Sequence, residues 1–590
     1  MGTAGVPGPA ATDAIPEFPS PRIADSRRLM GPHLHAAVEG AVLDVVLPAD
    51  AAQAAALLDA WCARVRELSA RLGWPEPEVV VRRQAHEASC FASAPADRLM
   101  AATERGELAW TWAEADVGER AEFDTVAAVA RVRAVAEPEV AARRHLPAVL
   151  AEAARRGLTV TYDDDSCAVG SGDGARTYAW ADLPAPADLP WAALHDVPVA
   201  LVTGSNGKTT TVRLLAAMWR AAGRVPGWCS TTGVQIGEHV ITEGDWSGPA
   251  GARAVLRDPR VQAAVLETAR GGILRRGLAT RRADVAVITN LQADHLGEYG
   301  IATLEALGAV KAVTARALVP RGALVLNAED PALVALAPTL GAPVAWFALD
   351  PAAVAAPPAG VTARGACVVR DSVVEWRDAE GGVTPLALVA DVPIAFGGAA
   401  PHMVANACAA AAAAMVLGIP VAAVRAALRA FGANAGDNPG RLTVHRLPGG
   451  VTALVDYAHN PAGVATLGPV VARLGGARKL IVLGQAGNRD DEAVRGLVRA
   501  AWATGPYDRV IIKDLPMHRK GRRPGEMTAL IADELARLGV PAAAVQVSPS
   551  ERAAVEAAVA WGTPGDLLVL PLHAQATELS AWLAGLAGAS

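Results

Sequence analysis

The sequence is poor in aromatic residues and in lysine, and its cysteines form no pattern. Aromatic side chains make up 4% of the 590 residues. The six cysteines are scattered and contain no C-x-x-C pair, which argues against a disulfide framework or a zinc site. Since reduced thiols are typical of the cytoplasm, we expect a cytoplasmic protein. The cysteines are Cys62, Cys90, Cys167, Cys229, Cys367 and Cys408.

The chain also lacks an excess of positive charge and a plain membrane span. Its formal net charge is −6, so we expect no nucleic-acid partner and no membrane partner. Residues 1–9 lack the basic-then-apolar order of a signal peptide. The longest uncharged run, about 396–424, is dominated by alanine and is interrupted by Pro420. That run predicts a buried helix rather than a membrane span.

Lysine is scarce in a chain that is rich in arginine. Five of the 54 basic residues are lysine, and the rest are arginine. A compact amine cannot always be replaced by a planar guanidinium, so each retained lysine is a candidate for a specific role. We expect Lys479 to be an ordinary residue. The lysines are Lys208, Lys311, Lys479, Lys513 and Lys520.

The length predicts several domains, and the composition suggests their order. Residues 1–20 have the composition of a disordered tail. Residues 21–181 show an α+β pattern, and the proline-punctuated stretch 182–196 reads as a linker. Residues 197–438 alternate strand and helix, which predicts a mostly parallel sheet, and 439–590 form a second such series. The predicted fold class is therefore α/β with an N-terminal α+β domain.

Local patterns predict individual elements. Apolar periodicity favours helices over 51–72, 139–156 and 304–318. The turn residues near 170–174 predict a hairpin over 163–179. Strands are predicted in the last domain at 452–455, 479–483, 509–512 and 566–572.

The segment 197–211 is the most informative part of the chain. An apolar strand leads into a short glycine loop, and a helix pattern follows. Such a loop directs backbone N–H groups toward one point at the positive end of a helix, where they bind phosphate. Lys208 would reach the outer phosphates, and the Thr209 hydroxyl would ligate their magnesium. The loop residues are Gly204, Ser205, Asn206, Gly207, Lys208, Thr209 and Thr210.

Two further apolar runs end in residues suited to a metal. Glu267 follows the run 263–266, and His295 lies shortly after the run 283–288. Ligands of open α/β sheets bind beyond the carboxyl ends of the strands, and a hard cation there takes few protein oxygens. Alone, Glu267 could be a surface carboxylate and His295 a capping histidine. Together with Thr209 they predict a magnesium site.

The phosphate loop has two residues between its glycines, which resembles the Mur ligase superfamily. The stretch 454–461, with the letters LVDYAHNP, also resembles a signature of that superfamily. The resemblance implies an ATP-dependent ligase that joins an amino acid to a carboxylate. It implies ATP and Mg2+ as cofactors, with catalytic roles for Lys208, Glu267, His295 and Lys311.

The same resemblance implies roles for four isolated residues. Lys311 matches a lysine that is often carbamylated and then binds magnesium; the alternative is a snorkelling amine. Asn406 matches an asparagine that meets the adenine, although it could merely cap its helix. Arg441 would approach ATP from the start of the last domain, unless it is a surface arginine. Asp456 would contact the nucleotide across the domain cleft.

Further motifs resemble the C-terminal half of the cyanophycin synthetases, which attach arginine to aspartate side chains of a polymer. These motifs lie at 245–249, 266–275, 456–463 and 512–526, and a weaker likeness covers the N-terminal region. The ATP-grasp domain that extends the polymer in those enzymes has no counterpart here. Gly487-Asn488-Arg489 also departs from the family, which tends to have Asp before Arg. The implied substrate-binding residues are Arg270, His459, Asn460 and Lys513.

The expected substrates are a small amino acid and a carboxylate-bearing peptide or polymer. A separate ATP-grasp ligase is a candidate partner, and a homo-oligomer is a candidate assembly. Lys513 could equally be a surface lysine. Two other functions stay open: a folylpolyglutamate- or peptidoglycan-type ligase, and a nucleotide-binding accessory subunit for a separate ATP-grasp ligase.

Overall fold

The computed structural model describes residues 22–84, 86–118, 123–293, 297–356 and 358–588. The chain divides into two compact units, of which the larger comprises Gly31–Leu34 and Leu150–Ser590. The predicted tail at 1–20 and the predicted ligand His295 lie outside the described residues. The domain boundaries drawn from composition stay predictions.

The smaller unit holds an antiparallel sheet with helices, as the α+β pattern predicts. Its strand order is β1-β2-β4-β3. Trp61 and Trp110 are buried in the core between helices and sheet. The strands are β1 (Arg22–Leu29), β2 (Gly40–Val46), β3 (Val79–Arg83) and β4 (Glu87–Ser93), and the helices are α1 (Ala51–Leu72), α2 (Leu99–Val117) and α3 (Thr125–Ala142).

The prediction of one continuous helix over 139–156 is wrong, because the chain forms two helices there. Helix α3 ends at Ala142, and α4 (Leu146–Arg156) begins after a turn. Pro147 explains the break, because it has no N–H to donate to the carbonyl of Arg143.

The predicted hairpin is confirmed, and it belongs to the larger unit. Strands β5 (Val160–Tyr162), β6 (Ser166–Val169) and β7 (Arg176–Ala179) form a small antiparallel sheet. Arg257 binds this sheet to the rest of the unit by donating from Nη1 to Asp163 Oδ2 at 2.5 Å.

The central sheet has eleven strands among the described residues, in the order β11-β10-β9-β12-β8-β13-β14-β15-β16-β17-β18. The seven strands from β9 to β16 in that order run parallel, and antiparallel hairpins extend both edges. The mostly parallel sheet predicted for this region is confirmed. The strands are β8 (Val199–Thr203), β9 (Pro226–Ser230), β10 (Gly233–Ile236), β11 (His239–Glu243), β12 (Ala263–Glu267), β13 (Ala283–Ile288), β14 (Leu318–Asn327), β15 (Val344–Ala348), β16 (Ala363–Arg370), β17 (Val373–Arg377) and β18 (Val383–Leu388).

Helices cover this sheet, which explains why its middle strands are mostly apolar. Every residue of β8 and β12 is buried, as expected for parallel strands covered on both faces. The alanine-rich run predicted as a buried helix forms α10, which packs against α5. The helix predicted over 304–318 ends at Ala312 and continues only as a 3-10 turn. The helices are α5 (Lys208–Ala221), α6 (Pro249–Arg257), α7 (Arg270–Arg276), α8 (Leu304–Ala312), α9 (Pro331–Leu336), α10 (Pro401–Val416) and α11 (Val421–Ala430).

A second α/β sheet follows, with the order β19-β20-β24-β21-β22-β23 in the described part of the chain. Only the β19–β20 pair is antiparallel within it. The four strands predicted here are confirmed. The strands are β19 (Thr443–Leu447), β20 (Val451–Asp456), β21 (Lys479–Leu483), β22 (Arg509–Lys513), β23 (Val545–Ser548) and β24 (Leu567–Pro571), and the helices are α12 (Pro461–Ala465), α13 (Leu467–Leu474), α14 (Asp491–Trp502), α15 (Glu526–Arg537), α16 (Glu551–Trp561) and α17 (Ala576–Gly588).

Within the described residues, none of the helices combines the length and the apolar composition that crossing a bilayer requires.

Candidate nucleotide site

The glycine loop lies between β8 and α5, as the sequence predicts, and both of its glycines are structurally required. Gly204 and Gly207 have φ of +145° and +87°. A Cβ on Gly204 would lie 1.8 Å from Thr289 Oγ1, and one on Gly207 would lie 2.1 Å from Asn406 Oδ1. Any other residue would therefore be strained and would clash with its neighbours.

The end of the adjacent strand β13 fixes the loop. The amide of Asn206 donates to Asn290 Oδ1 at 2.9 Å, and Thr289 Oγ1 donates to the Asn206 carbonyl at 2.6 Å. Asn290 Nδ2 donates to the same carbonyl at 3.0 Å. These contacts fix the conformation of the loop. The role of Thr289 was not predicted from the sequence.

Lys208 is the first residue of α5 and folds back over the loop. Its Nζ donates to the Ser205 carbonyl at 3.0 Å. The N-terminus of α5 adds the partial positive charge of its free N–H groups. The loop thus places an ammonium beside a helix N-terminus. That these groups bind phosphate stays a prediction.

Glu267, at the end of β12, is the buried carboxylate of the site. It is 1% exposed, so the alternative of a surface carboxylate is wrong. Thr209 Oγ1 donates to its Oε2 at 2.8 Å, and its Oε1 is buried without a hydrogen-bond partner among the described residues. Burial raises the pKa of Glu267, and Lys208, the Thr209 hydroxyl and Arg441 oppose that rise.

This cluster fits the magnesium ion that the family implies. An unpartnered buried carboxylate oxygen beside a threonine hydroxyl is an oxygen donor set of the kind that Mg2+ prefers near phosphates. The described residues contain no group of three His, Cys, Asp or Glu side chains that could hold a metal by themselves. Phosphate oxygens and water would supply the remaining ligands of such an ion, and the role of His295 stays a prediction.

Arg441 joins the last part of the chain to this cluster. Its Nη2 lies 3.5 Å from Thr209 Oγ1 and 3.3 Å from Thr231 Oγ1, so it is not a plain surface arginine. Its guanidinium stacks 4.3 Å from the centroid of the Tyr457 ring. Thr231 and Tyr457 are site residues to which the sequence analysis gave no role.

Asp456, at the end of β20, shapes the segment that carries Arg441. It accepts the amide of Leu442 at 2.8 Å and that of Ala458 at 2.7 Å. Burial raises the pKa of Asp456, against the opposing charge of Arg441. Its predicted contact with a nucleotide is compatible with this place and stays a prediction.

Three asparagines bring other parts of the chain to the phosphate loop. Asn460 Nδ2 donates to Asn206 Oδ1 at 3.2 Å. Asn438 Nδ2 donates to the hydroxyl of Thr210 at 3.2 Å. Asn406 lies in the middle of α10, whose N-cap is Ala400, so it is not a cap. The loop is thus lined from three sides.

The structure also places the other predicted residues, and it contradicts the alternatives that were open for two of them. Lys311 is 3% exposed on α8, so the snorkelling alternative is wrong, while its magnesium role stays a prediction. Arg270 is half-buried at the start of α7, and His459 Nδ1 lies 3.1 Å from the Tyr457 carbonyl. Lys513 is fully buried and bonded to Glu551, so the alternative of a surface lysine is wrong. In this arrangement the Lys513 amine has no surface with which to touch a substrate.

Comparison with known proteins agrees with this geometry. Two family descriptions match the chain: Mur ligase middle domain at residues 202–414, and Mur ligase, glutamate ligase domain at 440–571. A UDP-N-acetylmuramate--L-alanine ligase from Kineococcus radiotolerans is 31% identical over 380 residues, which are 62% of this chain and 70% of that protein. The chain therefore belongs to the Mur ligase family, and the predicted family is confirmed. Members of that family are ATP-dependent enzymes that join a carboxylate to an amine.

Other relatives match this chain over only part of their own length. The cyanophycin synthetase of a Synechocystis species is 40% identical over 365 residues, covering 62% of this chain and 41% of that protein. The chain thus spans about two fifths of the length of this relative. A crystal structure of MurF from Acinetobacter baumannii aligns with a TM-score of 0.44 and 17% identity, covering 66% of this chain and 76% of that chain.

Proposed function

We propose that this protein is an ATP-dependent amide ligase that activates a carboxylate as an acyl phosphate and joins it to an amino acid amine. The observation that carries the proposal is the buried Glu267–Thr209 pair at the phosphate loop, with Lys208 on one side and Arg441 on the other. Cations and one unpartnered carboxylate oxygen at a helix N-terminus suit a metal-bound triphosphate.

The proposed reaction has two steps. An oxygen of the substrate carboxylate attacks the γ-phosphorus of ATP, and the bond to the β-phosphate oxygen breaks to release ADP. The amine then attacks the acyl carbon, inorganic phosphate leaves with the carboxylate oxygen, and the amine loses a proton. No covalent enzyme nucleophile is required.

The residues of the loop would act mainly by electrostatics. Lys208 and the N-terminus of α5 would stabilise the charge on the transferred phosphoryl group. A magnesium ion held by Thr209 and Glu267, with His295 and Lys311 as further candidates, would neutralise charge on the phosphate oxygens. Arg441 already reaches Thr209 and would approach the same phosphates.

Two predicted ligand contacts complete the nucleotide site. Asn406, whose side chain lies directly against Gly207 of the loop, would meet the adenine, as the resemblance to the family implies. Asp456 would contact the nucleotide from the last α/β sheet. Exclusion of water by the closed site would protect the acyl phosphate from hydrolysis.

For the substrates, we propose arginine as the amine and an aspartate side chain of a peptide or polymer as the carboxylate. The identity of 40% with a cyanophycin synthetase over this half of the chain supports that choice. Arg270 and His459 are the residues proposed to face these substrates, and a separate ATP-grasp ligase would supply the polymer.

The test is an ADP-release assay with the twenty amino acids and short aspartate-containing peptides. We expect release that needs both an amine and a carboxylate, and is highest with arginine. Lys208→Ala should abolish that release while the protein stays folded, because among the described residues the Lys208 side chain donates a hydrogen bond only to a loop carbonyl. Lys479→Met is the matched control and should keep full activity.

Two results would contradict the proposal. Normal turnover by the Lys208 variant would show that the phosphate-loop assignment is wrong. Wild-type protein that binds nucleotide but turns over with no amine would favour the accessory-subunit alternative instead.

A further inference from the structure

A fully buried ion pair lies at the carboxyl ends of the strands of the last sheet. Lys513, at the end of β22, is 0% exposed, and Glu551, at the start of α16, is 1% exposed. Lys513 Nζ donates to Glu551 Oε1 and to the Pro571 carbonyl, both at 2.5 Å. A buried ion pair adds little net stability over an apolar pair, so stability alone is a weak reason for it.

Glu551 uses its other bonding positions to hold the segment after β24. Its Oε1 also accepts the amide of His573 at 2.7 Å, and its Oε2 accepts the amide of Gln575 at 2.5 Å. Although burial alone would raise the pKa of Glu551, the charge of Lys513 keeps it below its usual value. The ion pair thus fixes the backbone of residues 571–575.

His573 connects that segment to the LVDYAHNP stretch. Its Nε2 lies 3.0 Å from the Ala458 carbonyl, so this nitrogen carries the proton and donates it. Its ring meets the Tyr457 ring edge-on, with centroids 5.6 Å apart. Burial lowers the pKa of His573 to about 3, so the ring is neutral at physiological pH.

Tyr457 carries the connection to the phosphate loop. The Arg441 guanidinium stacks on its ring, and Arg441 reaches the hydroxyls of Thr209 and Thr231. A continuous set of contacts therefore runs from the Lys513–Glu551 pair, through His573 and Tyr457, to the residue that meets the predicted metal ligand.

The position of Lys513 also explains why arginine does not replace it. A Cβ on Gly484 would lie 2.4 Å from Lys513 Cγ and 2.9 Å from its Cε, so the backbone of Gly484 packs directly on the lysine stem. A planar guanidinium needs more space than a compact ammonium. This site therefore requires lysine in a chain that uses arginine almost everywhere else.

We propose that Lys513, Glu551 and His573 are positioning residues that hold Tyr457 so that Arg441 stands over the phosphate loop during ligation. None of the three touches the nucleotide or the reacting atoms. This inference rests on the proposed function, because Arg441 matters only if the loop binds a nucleotide.

The test is a double-mutant cycle between His573 and Arg441, read by kcat/KM for ATP in the ADP-release assay. In the wild-type background, His573→Ala should lower kcat/KM about tenfold, mainly through a higher KM for ATP. In an Arg441→Ala background, the same change should have less than about a twofold effect, because the side chain through which His573 acts is already absent. His573→Gln, which keeps an N–H donor, should restore most of the loss.

Lys513→Met tests the buried end of the network, with Lys479→Met as the matched control. If Lys513→Met folds, it should share the raised KM of His573→Ala; if it does not fold, the cycle on His573 decides. Equal losses from His573→Ala in both backgrounds, or unchanged kinetics with a lowered melting temperature, would overturn the inference. Absence of amine-dependent ADP release by the wild-type protein would instead overturn the proposed function.

Discussion

Replacing Glu267 by glutamine tests whether the site is built for a cation. The substitution keeps the volume of the side chain and removes its charge. Glu267 is 1% exposed, one of its oxygens has no partner among the described residues, and burial raises its pKa. An ionised carboxylate in that state destabilises the ligand-free protein, so the neutral amide should stabilise it.

The expected gain is about 1–3 kcal/mol, because a buried group that lacks a partner costs more when it is charged than when it is neutral. In a unit as large as Gly31–Leu34 with Leu150–Ser590 this corresponds to a rise of about 1–3 °C in the midpoint of thermal unfolding. Magnesium nucleotide should have the opposite effect. At about 100 times its dissociation constant it should stabilise the wild type by about 2.7 kcal/mol, and the Glu267→Gln variant by much less.

The gain should depend on pH with a defined sign. The folded pKa of Glu267 lies above its unfolded value, so the wild type loses stability as pH rises through the folded pKa. Glutamine does not titrate, and the advantage of the variant should therefore grow as pH rises from the unfolded pKa of Glu267 through its higher folded pKa.

Glu551→Gln is the matched control, because Glu551 is equally buried but fully partnered. Its oxygens accept Lys513 Nζ and the amides of His573 and Gln575. Breaking that pair should destabilise the protein by about 3–5 kcal/mol. The same chemical change at two equally buried carboxylates should thus shift the melting temperature in opposite directions. A lower melting temperature for Glu267→Gln, with an unchanged response to magnesium nucleotide, would show that Glu267 does not serve to bind a cation.

Other predictions concern the phosphate loop. Gly207→Ala should destabilise the protein by at least about 1–2 kcal/mol in thermal unfolding and should abolish nucleotide binding in titration, because φ is +87° and the new Cβ would meet Asn406. Wild-type nucleotide affinity in that variant would contradict the loop geometry. Asn460→Ser should keep the cap of α12, and hence stability, but lose the contact with Asn206 and weaken nucleotide affinity about tenfold. Equal affinity in Asn460→Ser and wild type would show that the contact is dispensable.

Local sequence predicted the phosphate loop because strand, glycines, lysine and helix are contiguous. Glu267 was predictable since it directly follows a buried strand. Thr231, Thr289 and Asn290 were not, because ordinary polar residues reach the loop only through the strand order that places β9, β12 and β13 around β8.

Lys513 shows why the surroundings of a residue are harder to predict than its element. The strand that ends at Lys513 was predicted within one residue, but Glu551 lies 38 positions later, at the start of helix α16. No local pattern signals that pairing. Similarly, the break after Ala142 depends on Pro147, which the apolar periodicity of 139–156 concealed.

In the proposed reaction the protein activates a carboxylate by phosphorylating it. The most direct measurement uses an acceptor peptide labelled with 18O in its carboxylates, incubated with ATP, magnesium and the amine. The acyl phosphate route predicts one 18O atom in the inorganic phosphate for each amide formed, detected by mass spectrometry. Unlabelled phosphate released during amide formation would contradict the account.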